Sequence, residues 1–267
     1  MQDRAPSDAA RAAVAELADR HGGRIYALAT RFCGTPELAE DLVQETFLRA
    51  LRGWDGFRGE ADPTTWLYRI AANACHRLKR PRAGAPKRAP LDVDSAFSAG
   101  SVPDPRSASG ALDEAVAREA LASLEAAIAA LPDDLRMPLV LKEVAGLDVS
   151  AVAEIMDLKE ATVRTRLHRA RLALRGALAG RLPSRRLPPP AYERQVCLDL
   201  LEAKQAALDR GAAFPARDEV LCERCRAVFA SLDLVQEGCR ALREGLAPKN
   251  LRLRLRALIQ ADSGSNP

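Results

Sequence analysis

Histidine is nearly absent, with three in 267 residues and none beyond His168. A His-rich metal centre is therefore not expected, and no Ser/His/Asp constellation or glycine-rich phosphate loop stands out. A zinc-dependent or thiol enzyme is therefore poorly supported. Aromatic residues make up only 4% of the chain, which suits small helical units packed from Ala, Leu and Val. No stretch approaches the ~18 uncharged apolar residues of a membrane span, so no membrane partner is expected. The N-terminal "MQDRAPSDAARAAVAEL" has no apolar signal core, which predicts a cytosolic protein. No internal repeat is evident.

What is abundant favours helix: Ala, Leu, Arg and Glu dominate. Charge is the most structured property. The formal net charge is +4 overall, but by segment it is −3 over 1–62, +7 over 63–91, −9 over 92–158, +8 over 159–186 and +1 thereafter. Two compact basic blocks alternating with acidic ones suggest a polyanion gripped at two places.

Two proline-rich breaks divide the chain. Residues 81–110, from the "RPRAGAPKRAPLDVDS" stretch onward, read as a flexible linker, and 181–191, "RLPSRRLPPPA", cannot continue a helix. The fold class expected is all-α: a helical domain over 8–80, a second with a helix-turn-helix over 111–180, and a Cys-containing helical domain over 192–262. In the first, Thr35 and Pro36 open a helix as N-cap and first residue. Ala39, Val43, Phe47, Ala50 and Trp54 share its apolar side. Asp41, Gln44, Glu45 and Leu48 form a second stripe, which a solvated surface would explain equally well. The following helix places Trp66, Ile70 and Ala74 inward and ends in a cationic run of Arg77, Lys79, Arg80 and Arg82. Phe57 stands out as exposed in the polar loop between these helices.

In the second domain "DVSAVAEIM" and "EATVRTRLHRARLALRGAL" form a helix-turn-helix candidate, joined by "DLK". Val163, Leu167, Ala170 and Leu174 make one apolar stripe. Arg164, His168, Arg171 and Arg175 flank it on one side, Arg166 and Arg169 on the other, and Thr165 points away, with Thr162 in the first turn. Such charge density repels itself along the helix unless phosphates neutralise it. The helix therefore fits DNA, and His168 fits a phosphate-proximal surface position better than a metal site.

Four of the six cysteines fall in the last third. In a cytosolic chain they are expected to be reduced. Cys222 and Cys225 are i, i+3 neighbours, with Cys197 within reach of the same point. Cys239 lies too far along the helix. Metal binding, core packing and a redox-active thiol pair all remain open. The basic tail "LRLRLRALIQ" sets Leu251, Leu255 and Leu258 at helical spacing and is expected to pack on its own domain.

Over residues 8–180 the chain resembles the extracytoplasmic-function sigma factors. "AEDLVQETFLRALRGWDGFRGEADPTTWLYRIAANACHRLKR" is similar to their second region and "LPDDLRMPLVLKEVAGLDVSAVAEIMDLKEATVRTRLHRARLALRGAL" to their fourth. The resemblance implies core RNA polymerase and promoter DNA as partners and no required cofactor. It gives Asp41, Gln44, Glu45 and Leu48 to polymerase docking. It gives Phe57, Arg58, Gly59 and Glu60 to capture of a flipped −10 base. Trp66, Arg69, Asn73, Arg77, Lys79 and Arg80 would hold neighbouring bases and phosphates. Thr162, Arg166 and Arg169 would reach base edges of the −35 element, with Arg164, Thr165, His168 and Arg171 beside them. Asp92, Asp94 and Asp104 would thread the RNA channel. Asp157 and Lys159 depart from the family's usual turn and cap; Asp still tolerates the left-handed turn. A stand-alone helix-turn-helix regulator is the alternative, lacking any need for the 8–80 features. The 192–262 block resembles a zinc-binding anti-sigma domain with Asp218 in its histidine position. That implies Cys197, Asp218, Cys222 and Cys225 as zinc ligands, and control in cis. The sequence names no separate anti-sigma protein.

Overall fold

The computed structural model describes residues 6–33, 35–59, 62–78, 101–103, 114–182, 184–215, 220–242 and 250–261. These form helices and one short two-stranded ladder, as the all-α expectation required. The chain divides into two compact units: 1–86 with 150–158 and 243–267, and 87–149 with 159–242.

The first unit is built on α1 (Asp8–Cys33), α2 (Pro36–Gly53) and α3 (Pro63–Leu78). Thr35 caps α2 by accepting from the Leu38 amide, and Pro36 needs no donor at the first position. Leu28 and Phe32 of α1, Val43 and Phe47 of α2, and Leu67 and Ala71 of α3 are buried together in its core. Trp66 and Ile70, expected inward, sit at the rim of that core, because the buried face of α3 runs through Leu67, Ala71 and Cys75. The helix α10 (Leu251–Ala261) also belongs here, so the segment 192–262 does not fold as one unit. Its buried stripe is Leu251, Leu255 and Ile259, with Leu258 only half-buried. A Cβ on Gly22 of α1 would stand 3.0 Å from Leu255 Cδ1, so the glycine permits the close approach. Arg11 donates to the Ile259 carbonyl at 2.7 Å, and Arg256 pairs with Asp19 and Arg254 with Glu40.

The second unit holds α4 (Glu114–Ala130), α5 (Asp133–Leu139), α7 (Glu160–Ala179), α8 (Arg194–Arg210) and α9 (Glu223–Ala241). The helix before α7, α6 (Val149–Met156), lies almost wholly within 150–158. Pro132 is the N-cap of α5, and Pro138 lies inside it. Proline offers no amide to the ladder. The chain continues through a wider π turn, Val140–Val144, in which the Ala145 amide reaches the Val140 carbonyl at 2.8 Å. Each proline-rich break contributes one strand, β1 (Ser101–Pro103) and β2 (Ser184–Arg186), paired antiparallel with Val102 opposite Arg185. Residues 101–103 are thus ordered, contrary to a linker that is loose throughout. The reason is Val102, which is buried in a cluster with Leu172, Leu187, Cys197, Leu201, Cys225, Val228 and Phe229.

Candidate nucleic-acid interface

In the first unit α2 and α3 enclose an open groove of about 360 Å³ lined by Leu38, Asp41, Leu42, Glu45, Arg49, Ala74 and Arg77. Asp41 is exposed; Gln44, Glu45 and Leu48 are half-buried, and Glu45 is engaged by Arg49. Asp41, Gln44, Glu45 and Leu48 thus share one face of α2, with Arg49 beside them. Beyond α2, Phe57 is half-buried rather than exposed. It packs on Trp66 at 5.1 Å and Trp54 at 5.4 Å between ring centroids, closing an aromatic triad that also holds Trp54 to Trp66 at 5.8 Å. Arg58 and Gly59 are exposed, and Gly59 has φ +73, a conformation that costs glycine nothing. Glu60, Lys79, Arg80, Asp92, Asp94 and Asp104 lie outside the described residues. Arg69 donates to the Glu154 carbonyl at 2.9 Å and to its carboxylate at 3.2 Å, and the two line a hollow with Asn73 and Asp157. Asp157 has φ 53, so it does take the left-handed turn.

In the second unit α7 changes character along its length. Lys159 caps it without a side-chain bond. The first turns expose Arg164, Thr165 and Arg169, with Thr162 and Arg166 half-exposed. Thr162, Thr165, Arg166 and Arg169 line a hollow of about 430 Å³ with Ala161, Asp134 and Leu135. From Ala170 onward the helix is covered. Arg171 is 1% exposed, and Arg175 is fully buried. Arg171 Nε and Nη2 donate to Glu143 at 3.1 and 2.6 Å; Nη1 donates to Gln205 at 3.0 Å and to Asp209 at 2.7 Å. His168 Nε2 meets the other Asp209 oxygen at 3.1 Å. Burial works against the Arg171 charge, but Glu143 and Asp209 outweigh it and hold its pKa above the arginine value. Burial likewise opposes the Asp209 carboxylate, yet His168 and Arg171 hold its pKa below the ordinary 3.8. Arg175 is pushed down to about 10 by burial and by the Arg224 charge. Of the flank expected to be outward and cationic, His168 and Arg171 are turned instead against α8 and the π turn and Arg175 is buried, while Arg164 stays exposed.

Three of the four residues expected to hold zinc come together. The Cys225 thiol has those of Cys222 and Cys197 as its neighbours, while Asp218 lies outside the described residues. Among the described residues no group of three or more His, Cys, Asp or Glu is arranged to hold a metal ion. Cys222, at the N-cap of α9, is opposed by burial, but hydrogen bonds from Ala191, Cys225 and Arg224 leave its pKa below the ordinary 9.0. Burial and the two neighbouring thiols push Cys225 up to about 12.

Comparison with known proteins decides the family. Residues 17–84 match the family described as Sigma-70 region 2, and residues 121–174 match Sigma-70, region 4. The chain is 35% identical over 167 residues to the ECF RNA polymerase sigma-E factor of Escherichia coli K12, covering 59% of this chain and 82% of that protein. The chain belongs to the ECF sigma factors. The sigma-E factor of Salmonella typhimurium LT2 matches with the same figures, and SigW of Bacillus subtilis is 36% identical over 169 residues, covering 62% of this chain and 89% of its own. A solved structure of CnrH in complex with the cytosolic domain of CnrY is 26% identical, with TM-score 0.43, over 62% of this chain and 92% of that one. The match at 17–84 disfavours a stand-alone helix-turn-helix regulator. The relatives' alignments leave the zinc-binding resemblance of the C-terminal segment without support.

Glu143, Gln205 and Asp209 escaped the sequence reading of this sigma factor. Each sits on a helix or turn where a polar residue is unremarkable, and only the fold brings them to Arg171. The available signal was indirect: an α7 flank with more arginine than a solvated helix carries, matched by an acidic 92–158 segment. No helix among the described residues is long and apolar enough to cross a membrane.

Proposed function

We propose that this sigma factor binds core RNA polymerase and directs it to promoters in the cytoplasm, with Asp41, Gln44, Glu45 and Leu48 as the docking face. Phe57, Arg58, Gly59 and Glu60 capture a −10 base, and Trp66, Arg69, Asn73, Arg77, Lys79 and Arg80 hold the neighbouring strand. Thr162, Arg164, Thr165, Arg166 and Arg169 read the −35 element in the major groove. The observation that carries this reading is the exposed Arg/Thr face on the first turns of α7, beside a hollow open to solvent. Run-off transcription with core polymerase and a promoter library tests it. Specific start points are expected with the wild type and none with Asp41→Lys. A wild-type chain that fails to direct initiation overturns it.

The C-terminal segment acts in cis. Asp209 withholds His168 and Arg171 from phosphate, and the thiols of Cys197, Cys222 and Cys225, within the apolar cluster that touches α7 through Leu172, are the responsive element. Deleting 188–267 would also strip that cluster, so a point variant is the cleaner probe. Asp209→Asn is expected to raise transcription and to blunt any response of the wild type to zinc or to hydrogen peroxide, added separately. Identical transcription by both proteins under all three conditions discards control through this contact.

A further inference from the structure

The hollow beside the exposed turns of α7 contains one residue that DNA binding alone does not explain. Asp134 sits in the first turn of α5 with Asp133. Their side chains do different things. Asp133 pairs with Arg136 at 2.9 Å, within its own helix. Asp134 is exposed and lines the hollow with Thr162, Thr165, Arg166 and Arg169. It shares that hollow with two arginines, yet no described residue forms an ion pair with it. Glu160, the other carboxylate near this face, is spent on Arg164 at 2.6 Å. The Thr165 hydroxyl, which carries no charge, donates to the Ala161 carbonyl at 2.9 Å. The face thus offers guanidinium donors and one unengaged acceptor of full negative charge.

A carboxylate on a DNA-facing surface repels phosphate and so weakens non-specific binding. It is useful only where a base presents a donor. In the major groove cytosine shows its N4 amino group; guanine shows the acceptors N7 and O6, thymine shows O4, and adenine sets N7 beside its amino group. We propose that Asp134 is a specificity-determining residue, accepting from the N4 amino group of a cytosine next to the base pair read by Arg166 and Arg169. This rests on α7 being the −35 reader. Guanine at that position turns two acceptors toward the carboxylate and is rejected.

The test uses the full chain assembled with core RNA polymerase. A linear promoter library randomised across the upstream element is transcribed, and the productive templates are sequenced for wild type, Asp134→Ala, Asp134→Asn and Arg169→Ala. Wild type is expected to favour cytosine over guanine at one position by about fivefold or more, the range a single wrong base pair gives. Asp134→Ala loses that preference at that position alone. Asp134→Asn, whose amide also donates, admits guanine or thymine there. If both Asp134 variants keep the wild-type profile, or lower transcription from all templates alike, Asp134 only complements the first turn of α5 and the proposal fails. A shifted profile for Arg169→Ala in the same experiment then leaves the α7 reading standing. If Arg169→Ala also shifts nothing, both fall together.

Discussion

Replacing Arg171 by Met removes the cation between two buried carboxylates. The side chains of Glu143 and Asp209 are 5% and 3% exposed, and each is bonded to the guanidinium, at 2.6 and 2.7 Å. Methionine fills much of the volume but none of the charge. Asp209 keeps only His168, 24% exposed, and Glu143 loses its bonds to Arg171. Breaking a buried pair from one side costs about 3–5 kcal/mol, and Arg171→Met is expected to fall in that range near neutral pH. The pH trend is diagnostic. In the wild type the Asp209 pKa is held below 3.8. Its contribution to stability is therefore complete above about pH 4 and lost only as pH falls through the depressed value. In the variant the lowering by Arg171 is lost while that by His168 stays, so the folded pKa moves up toward the unfolded one. The rise in stability between acid and neutral pH is then smaller than in the wild type. Trp54 and Trp66 both lie in the first unit, so their fluorescence does not report this event. Hydrogen exchange of α7, α8 and α9 peptides, read by mass spectrometry across pH, does. Arg171→Met with Asp209→Asn should recover part of the loss. A cost below about 1 kcal/mol, or a pH trend like the wild type's, refutes the electrostatic account of this cluster.

Gly238→Ala in α9 would place a Cβ 2.6 Å from Leu124 Cδ2; overpacking of about 1–3 kcal/mol should exceed the helix-propensity gain of about 1, lowering the melting temperature. Arg169→Ala should cost about 1–3 kcal/mol of promoter DNA binding and relax selectivity at one upstream base pair, with an unchanged melt, in titrations against single-base promoter variants. Iodoacetamide should modify Cys222 first, at a pH below the ordinary thiol value of 9.0, while Cys225, pushed up to about 12, is protected; peptide mass spectrometry at graded pH checks the order.

Periodicity made most of the helices legible before the structure. The stripe of Val163, Leu167, Ala170 and Leu174 is buried as spacing requires, since 3.6 residues per turn leaves few alternatives. Local stereochemistry was equally legible: Thr35 caps, and Asp157 turns left-handed. What spacing cannot give is the identity of the neighbour. The flank with Arg171 and Arg175 looked solvent-facing because nothing within α7 announces that α8 lies against it. Trp66 looked like core by period, but the loop aromatics Trp54 and Phe57 supply its partners at the rim. The three thiols were predicted as neighbours from i, i+3 spacing plus one distant cysteine, and that much the fold provides. Asp134 carried no signal, because its interest depends on the hollow it shares with α7.

The placement of α10 against α1 has a consequence for synthesis. Arg11 and the Ile259 carbonyl that it binds are 248 residues apart. On a ribosome adding about 5–20 residues per second, α1, α2 and α3 wait roughly 10–35 s after α3 emerges before the helix that seals them exists. Gly22, Asp19 and Glu40 stay uncovered for that interval. The first-made bundle is thus the last to be finished, and a nascent chain stalled before Leu251 would present an open apolar seam to chaperones and proteases.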